Sequence, residues 1–272
     1  MSAQSDIALI AGQGGLPGLV AEAAPGLLVC EMEGTPSEIG TPETLRFRIE
    51  RLVPFLDSLT DRGIKRVVFA GAIQRPRVDV EMIDPRSAQL VPQLAVAMQT
   101  GDDATLRAVI EIFEDFDFEV IGAHDIARDL VPEAGLLLGD PSASERADVE
   151  RAAAIVADLG RADIGQGAVV SNGLCVAVET LPGTDAMLEF VKHHRALRAD
   201  LPARSGVFYK APKPGQDRRA DLPTIGVATV RHAAEAGLLG IAFEAGGVMI
   251  IERDAVIEAA REAGLFLWAR AS

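Results

Sequence analysis

Short apolar runs alternate with helix-like segments through the first half of this 272-residue chain. The apolar runs, each about five residues long, are residues 7–11, 27–32, 66–71 and 118–122. The segments with helical spacing of apolar residues are 16–24, 46–62 and 106–116. This alternation predicts a parallel sheet flanked by helices, with a ligand bound at the carboxyl ends of the strands.

The second half combines the same alternation with antiparallel signals. Residues 167–171 and 174–180 are predicted strands joined by Asn172-Gly173, the strongest short hairpin signal. Further predicted strands are 206–209, 240–243, 248–252 and 265–268, and further predicted helices are 147–158, 229–236 and 255–263. Residues 244–247 are interpreted as a hairpin turn.

A stretch rich in Pro, Gly, Asp and Ser at residues 131–144 predicts a connection between domains. We therefore expect an α/β protein with two domains. Residues 1–134 would form a Rossmann-like, nucleotide-binding domain with a parallel sheet. Residues 135–272 would form a second α/β domain with a mixed sheet, carrying the loop at 210–224.

Composition restricts the partners. The net charge of −14 and the absence of a basic-aromatic pattern exclude general nucleic-acid binding. No apolar run approaches the ~20 residues of a membrane span, and no basic segment precedes residues 7–11, so we expect a cytoplasmic protein. Cys30 and Cys175 both lie in apolar runs, which predicts buried thiols in a reducing compartment.

Residues 210–224 contain two lysines, two arginines, a glutamine and two aspartates between three prolines. Proline and glycine exclude a helix interior, so a fixed loop is expected. Such a loop could bind phosphates with its cations and a divalent metal with a carboxylate, or it could be a solvated salt-bridge loop. Residues 192–219 hold eight Lys or Arg and two Asp, a local charge of +6 that indicates an anionic ligand or surface, or a solvated helix face.

A glycine-rich loop follows the first predicted strand, from Gly12 through Gly15 and Leu16 to Pro17. Its amides could bind a phosphate at a helix N-terminus. Pro17 replaces the third small residue of the dinucleotide fingerprint, although Glu31 follows at the spacing of a ribose-binding acid. The loop is therefore interpreted as a nucleotide site, an NAD site or a tight turn.

Other candidates lie at predicted strand or helix ends, and each has a structural alternative. Gly71 and Ala72, followed by Gln74 and Arg75, form either part of the same crevice or a turn. The remaining candidates are Asp103, a helix cap or a ligand; His124, a core histidine or a ligand; Gln166, an amide between glycines; and Thr184 and Asp185, helix caps or ligands. The histidines show no zinc spacing with either cysteine, and no Gly-x-Ser-x-Gly elbow occurs.

Taken in order, these segments resemble the UDP-2,3-diacylglucosamine pyrophosphatases of the LpxI type, which act in lipid A biosynthesis. The resemblance covers almost the whole chain. It rests on the loop 12–17, Gly71 with Arg75-Pro76, Gly101-Asp102-Asp103, Gly122-Ala123-His124, residues 163–170, Gly183-Thr184-Asp185-Ala186-Met187, Lys210-Ala-Pro-Lys-Pro, Gln216, Asp221-Leu-Pro-Thr-Ile-Gly and Glu244-Ala-Gly. Gln13 and Gly15 interrupt a purer glycine run, and the residues between Gln216 and Asp221 vary.

The resemblance implies Mg²⁺-dependent attack of water on the α-phosphorus, which yields 2,3-diacylglucosamine 1-phosphate and UMP. It also implies two domains with the substrate between them and a homodimer. Because the substrate carries acyl chains, we also expect peripheral contact with the inner membrane. Asp221 would be the metal ligand that orients water, and Lys210 would join it in catalysis. The resemblance places Gly12, Gly15, Leu16, Gly71, Ala72, Gln166, Thr184, Asp185 and Lys210 at substrate-binding positions. We add Asp103, His124 and Lys213 as substrate-binding candidates from their own positions and charge.

Two further expectations remain. The aliphatic helix at residues 187–197 is a candidate acyl groove or membrane-facing edge, with Leu188 and Val191 lining it. The alternative functions are an NAD(P)-dependent oxidoreductase using the glycine loop and a non-catalytic nucleotide-sugar binding protein.

Overall fold

A computed structural model of the protein describes residues 5–40, 43–73, 78–100, 102–195, 202 and 204–271, with residues 100, 102 and 103 described in their backbone alone. The chain divides into two compact units. The first unit comprises Met1–Arg128 with Asp217–Asp221, and the second comprises Asp129–Gln216 with Leu222–Ser272. The chain thus leaves the second unit for a short segment that ends at Asp221 and then returns.

The first unit contains a five-stranded parallel sheet with the strand order β3-β2-β1-β4-β5. Its strands are β1 (Ile7–Ala11), β2 (Leu28–Met32), β3 (Leu45–Phe47), β4 (Arg66–Ala70) and β5 (Glu119–Ile121). Its helices are α1 (Leu16–Ala23), α2 (Leu52–Asp61), α3 (Val91–Thr100), α4 (Asp102–Asp115) and α5 (Ala123–Ile126). The order is that of a Rossmann sheet, in which the progression of strands along the chain changes side between β1 and β4.

Both faces of this sheet are covered, which is why its central strand is apolar throughout. Ala8 and Ile10 pack in one cluster with Phe55 of α2 and Phe113 of α4. Leu9 points to the opposite face and is fully buried. α1 packs against β1 and β4 on the way to the next strand. The carboxyl ends of β1 and β4 therefore flank the point at which this fold binds ligands.

The second unit contains a six-stranded mixed sheet with the order β6-β13-β11-β9-β7-β8. Its strands are β6 (Gly135–Leu138), β7 (Gly167–Ser171), β8 (Leu174–Val178), β9 (Val207–Lys210), β11 (Gly240–Glu244) and β13 (Phe266–Arg270), and β10 (Thr224–Ile225) pairs separately with β12 (Met249–Ile250). Its helices are α6 (Ala143–Arg161), α7 (Gly183–Arg195), α8 (Val227–Glu235) and α9 (Arg253–Ala263). β9, β11 and β13 are parallel, and β6, β7 and β8 run antiparallel to their neighbours.

Alternation along the strands of this sheet places the helices in two layers. Val170 and Tyr209 pack with α6 on one face. Val169 and Phe208 pack with α7, α8 and α9 on the other. The predicted fold class, a Rossmann-like parallel sheet followed by an α/β unit with a mixed sheet, is confirmed. Within the described residues, no helix combines the length and apolarity that crossing a bilayer requires.

The predicted hairpin at Asn172-Gly173 is confirmed. β7 and β8 pair antiparallel with Ser171 opposite Leu174, and both turn residues adopt positive φ. Asp148 of α6 accepts hydrogen bonds from the amides of Asn172 and Gly173 at 2.9 and 2.6 Å. The turn is therefore held by local conformation and by a buried carboxylate.

The predicted helix over residues 46–62 is wrong in its first part. Leu45–Phe47 is β3, and α2 begins only at Leu52 after a single 3-10 turn. Phe47 pairs with Met32 of β2 and stacks on Phe55 with ring centroids 4.0 Å apart. Burial at the sheet edge decides the conformation here, and the helical spacing of the following residues concealed it.

Two predictions in the second half also need correction. The connection predicted at residues 131–144 contains β6, a four-residue edge strand that the surrounding Pro, Gly, Asp and Ser residues conceal in the sequence. The turn at residues 244–247 is present, with the Gly247 amide donating to the Glu244 carbonyl at 3.2 Å, but it does not close a hairpin. The strand after it, β12, pairs in parallel with β10 instead.

The two thiols occupy different environments. Cys30 is buried, and desolvation raises its pKa to about 12. Cys175 is exposed on β8, so the prediction that both thiols are buried is wrong for this residue. β8 is an edge strand of the mixed sheet, and its first two residues, Leu174 and Cys175, are exposed.

Candidate active site

The loops after β1 and β4 approach each other at the level of their backbones. The Gly12 amide donates to the Ala70 carbonyl at 2.8 Å, and Gln13 and Ala72 exchange two hydrogen bonds of 2.9 and 3.0 Å. A Cβ on Gly12 would lie 2.6 Å from the Ala72 oxygen, and one on Gly71, whose φ is +89°, would lie 2.7 Å from the Gln13 oxygen. Glycine at both positions is therefore required by backbone contact.

This pairing determines which amides of the glycine loop can bind a ligand. The amides of Gly12, Gln13 and Ala72 already donate to backbone carbonyls. Gly15 is the N-cap of α1, and it offers no side chain to cap the first turn. The amides at Gly15 and Leu16 belong to the helix end that lacks intrahelical acceptors, so they are the ones suited to an anion.

The surroundings of the loop do not favour a dinucleotide. Pro17 packs on Gly71, since a Cβ there would meet the Pro17 ring at 2.8 Å. Glu31, the candidate ribose-binding acid, is buried and accepts hydrogen bonds from the amide and hydroxyl of Ser37 at 2.9 and 2.6 Å. The position that would select NAD is thus engaged within the protein.

His124 lies in α5, directly after β5. Its ring packs over Gly122, where a Cβ would come within 2.4 Å of the imidazole. Nδ1 is buried and has no hydrogen-bond partner among the described residues. α5 packs against α1 and β4. Asp103 lies in the first turn of α4, but its side chain, like Gln74 and Arg75, lies outside the described part of the structure.

Asp221 ends the short segment that belongs to the first unit. The Asp217 carbonyl accepts the amides of Ala220 and Asp221 at 3.3 and 3.1 Å, which closes a turn. The Arg219 guanidinium donates hydrogen bonds to the Asp217 carboxylate at 2.7 Å and to the Glu114 carboxylate of α4 at 2.5 Å. Ala220 packs on the apolar core of this unit. The backbone of Asp221 is therefore fixed to α4 through Arg219.

In the second unit, the candidate lysine is nearly buried. Lys210 is 8% exposed, and its ammonium donates to the Thr184 hydroxyl at 2.8 Å and to the Thr224 carbonyl at 3.2 Å. The Thr184 hydroxyl donates in turn to Glu179 Oε2 at 2.8 Å. Burying an ammonium costs several kcal/mol unless polar partners surround it. The oxygens of Thr184 and Thr224 therefore stabilise the Lys210 ammonium in its nearly buried position.

A second network lies beside the first. Gln166 Nε2 donates to Gln216 Oε1 at 3.1 Å, and the same oxygen accepts the Lys213 amide at 2.9 Å. The Lys213 ammonium lies 2.6 Å from Asp163. Asp185 is exposed and lies 3.1 Å from His232 Nδ1. Gln166 is thus tied to the loop that follows β9.

The predicted residues are divided between the two units. The first unit holds Gly12, Gly15, Leu16, Gly71, Ala72, His124 and Asp221, and the second holds Gln166, Thr184, Asp185, Lys210 and Lys213. Sequence reasoning missed Glu179 and Arg219, which contact Thr184 and Asp217. The glycines at 165 and 167 were the available signal for Glu179, because its backbone and carboxylate pack against both.

Several basic side chains among the described residues of the segment 192–219 make structural contacts, and Arg198 lies outside the described residues. Arg195 donates to the Ser205 carbonyl at 2.6 Å, and Arg204 donates to the Ala263 and Gly264 carbonyls at the end of α9. Lys192 pairs with Glu235 at 3.0 Å. Among the described basic side chains of this segment, Lys210 is the one that is nearly buried, which makes it the candidate for a buried anion.

The predicted acyl groove needs correction. Leu188 and Val191 are fully buried in the core of the second unit, so they cannot line a groove. A cavity of about 400 Å³ does lie along the other side of α7, between this helix and the edge strand β8. Its apolar lining includes Val176, Met187 and Phe190.

The fold and the site together define an α/β protein of two units, in which protein groups suited to binding a ligand lie at the ends of strands. The Rossmann order, the uncapped start of α1 and the nearly buried ammonium of Lys210 suit a ligand that carries phosphates. No group of three or more His, Cys, Asp or Glu within the described ranges is arranged as a metal cage.

Comparison with known proteins identifies the family. The model described as the LpxI N-terminal domain matches residues 6–130, and the one described as the LpxI C-terminal domain matches residues 132–268. The chain is 46% identical over 212 residues to UDP-2,3-diacylglucosamine pyrophosphatase LpxI of Caulobacter vibrioides, an alignment that covers 77% of this chain and 76% of the relative. The chain belongs to the LpxI family, which confirms the resemblance found in the sequence.

The turn that carries Asp221 should show a specific pH dependence. The Arg219 guanidinium lowers the pKa of Asp217 below its ordinary value of 3.8. The ion pair therefore stabilises the fold above that value, and this contribution is lost as the pH falls through the lower, folded-state pKa. We expect Asp217→Asn to lower the free energy of unfolding by about 1 kcal/mol at pH 7.

Urea unfolding at pH 7 and at pH 3 checks this expectation. The difference between wild type and Asp217→Asn should shrink at the lower pH. Asp61→Asn, at the exposed end of α2, is the control and should show no such change. An equal difference at both pH values would contradict the role of the ion pair.

Proposed function

We propose that this protein hydrolyses the pyrophosphate bond of UDP-2,3-diacylglucosamine, producing 2,3-diacylglucosamine 1-phosphate and UMP for lipid A biosynthesis. The observation that carries the proposal is the 46% identity to a protein named for this activity, along three quarters of both chains. Water attacks the α-phosphorus, which is the uridylyl phosphorus. The site is cytoplasmic, where UDP-linked intermediates are made.

Phosphoryl transfer asks a protein mainly for positioning and charge neutralisation. Lys210 supports this role, because its ammonium is held among oxygen acceptors in a nearly buried position. A positive charge in such surroundings interacts with a diphosphate more strongly than one in water does. We assign Lys210 to the pyrophosphate oxygens, where it stabilises the charge that develops as the bond to the leaving phosphate breaks.

Asp221 positions the attacking water in this proposal. The turn from Asp217 fixes its backbone, and the Arg219 grip on Glu114 restrains that turn. A carboxylate on a restrained turn can accept a hydrogen bond from a water molecule and direct it along the line of attack. Lys213 has a smaller part in charge neutralisation, because Asp163 already pairs with it.

The single carboxylate of Asp221 fits Mg²⁺ in one of its usual binding modes. Mg²⁺ commonly binds through one or two carboxylates together with substrate phosphates and water, without a protein cage. Asp221 supplies one such carboxylate, and the described residues contain no larger acidic or histidine cluster. When bound, the ion would neutralise phosphate oxygens and make water a better nucleophile.

The remaining predicted residues bind the substrate in this proposal. The amides at Gly15 and Leu16 suit a phosphate at the start of α1, and Gly12, Gly71 and Ala72 form the backbone floor beside them. Gln166 and Asp185 offer amide and carboxylate groups to the sugars. The Thr184 hydroxyl, which donates to Glu179 and accepts from Lys210, keeps one lone pair for a sugar hydroxyl.

The acyl chains require apolar surface as well. We assign at least part of them to the cavity between α7 and β8, whose lining is apolar and whose volume can hold several methylenes, each worth about 0.8 kcal/mol on burial. Peripheral contact with the inner membrane would let the enzyme take a lipid substrate directly. A homodimer, expected from the family resemblance, could use the exposed edge of β8.

The assignment of Asp221 is tested by Asp221→Ala. This variant should lose at least a hundredfold in kcat for UMP release with Mg²⁺ present, while substrate binding, measured by calorimetry, persists. Asp254→Ala, at the exposed start of α9, is the matched control and should turn over normally. Retained turnover in Asp221→Ala would refute the assignment.

The same assay separates the alternative functions. A non-catalytic nucleotide-sugar binding protein would bind the substrate but release no UMP with or without Mg²⁺. An NAD(P)-dependent oxidoreductase would change the fluorescence of added NADH or NADPH, and we expect no change because Glu31 is engaged by Ser37.

Phe190→Asp tests the acyl assignment. Phe190 is 47% exposed and lines the cavity, so a charge there should raise the KM for a long-chain substrate about tenfold with little loss of fold stability. Val80→Asp, an exposed apolar position of the first unit, is the control. An unchanged KM for long-chain substrate in Phe190→Asp would place the acyl chains elsewhere.

A further inference from the structure

Glu179 has a defined place in the second unit, although no role in the reaction has been assigned to it. It follows directly after β8, and its amide donates to the Gly167 carbonyl at 2.8 Å. The pairing of β8 with β7 therefore continues to Glu179. On the other side of β7, Gly167 is the register partner of Lys210 in β9. Glu179, Gly167 and Lys210 thus lie side by side on three neighbouring strands.

The residue between the two charged side chains has to be glycine. A Cβ on Gly167 would lie 2.8 Å from Glu179 Oε2 and 2.8 Å from the Phe208 ring, so the Glu179 carboxylate occupies the space above that residue. A Cβ on Gly165 would lie 2.1 Å from the Glu179 carbonyl oxygen. The Gly-Gln-Gly segment is explained by Glu179, because both glycines make room for it.

The Thr184 hydroxyl connects the two charges. A carboxylate can only accept hydrogen bonds, so the single hydroxyl hydrogen of Thr184 points to Glu179 Oε2, 2.8 Å away. The lone pairs of the hydroxyl oxygen are then left for a donor, and the Lys210 ammonium lies 2.8 Å from it. Glu179 therefore sets the direction of the hydrogen bond between Thr184 and Lys210.

We propose that Glu179 is a positioning residue of the hydrolysis: it orients the Thr184 hydroxyl as an acceptor, which holds the Lys210 ammonium at the substrate phosphates. This inference rests on the proposed function. Glu179 acts through Thr184, and it needs no contact with the reacting atoms.

A test follows from this dependence on the hydroxyl. Glu179→Gln is introduced into three backgrounds: the wild type, Thr184→Ser, which keeps a hydroxyl, and Thr184→Val, which removes it at similar size. In the wild type and in Thr184→Ser, Glu179→Gln should lower kcat/KM for UDP-2,3-diacylglucosamine by about ten- to a hundredfold. In Thr184→Val it should cause almost no further loss, because the group through which Glu179 acts is gone.

Controls separate this role from a structural one. Glu262→Gln, an exposed glutamate on α9, should leave kcat/KM unchanged. Melting temperatures identify any variant that fails to fold, and Glu179→Asp, which is one methylene too short to reach Thr184, replaces Glu179→Gln in that case. A structural role for Glu179 would give the same loss in the serine and valine backgrounds.

The outcomes are distinct. A loss that depends on the hydroxyl supports the inference. An equal loss in all backgrounds, or no loss in any, overturns it while leaving the proposed function intact. If the wild type releases no UMP from this substrate, the proposed function fails and the inference fails with it.

Discussion

The Lys210 ammonium imposes the constraint around which the strand ends of the second unit are arranged. A nearly buried cation must be surrounded by acceptors, and here they come from α7 through Thr184 and from β10 through Thr224. The carboxylate of Glu179 reaches the same hydroxyl across Gly167. Three strands, a helix and a loop thus meet at one charge, and an arrangement of this kind suits a ligand of opposite charge better than it suits stability alone.

In the first unit, the candidate binding residues are positioned mainly by backbone hydrogen bonds. In the second unit, side-chain contacts position them. The glycines at 12 and 71 let the loops after β1 and β4 form backbone hydrogen bonds beyond the strand ends. This is the position where the strand order of a Rossmann sheet changes side. In that pairing, the amides of Gly12 and Gln13 donate to backbone carbonyls. The amides at the start of α1 are the ones suited to a ligand. Asp221 belongs to the same unit because Arg219 attaches its turn to Glu114. Both units contain groups that phosphoryl transfer requires.

Sequence reasoning predicted the features that depend on local pattern. The alternation of apolar runs predicted the strands of both sheets except β3 and β6. Asn172-Gly173 predicted the hairpin, because these two residue types favour one type of tight turn. Sequence reasoning failed where contacts between residues distant in the chain determine the conformation or the burial. Phe47 belongs to a strand because of Met32 and Phe55, and Leu188 is buried although its helix also lines a cavity. Glu179 lies near Thr184 and Lys210 because of the register in which β8, β7 and β9 pair. A single sequence does not reveal that register.

The central claim is that water attacks the uridylyl phosphorus of UDP-2,3-diacylglucosamine in this protein. Turnover of that substrate with Mg²⁺ in water enriched in ¹⁸O, followed by mass spectrometry of both products, tests it most directly. The account predicts one labelled oxygen in UMP and none in 2,3-diacylglucosamine 1-phosphate. Label in the sugar phosphate, or no release of UMP, would contradict it.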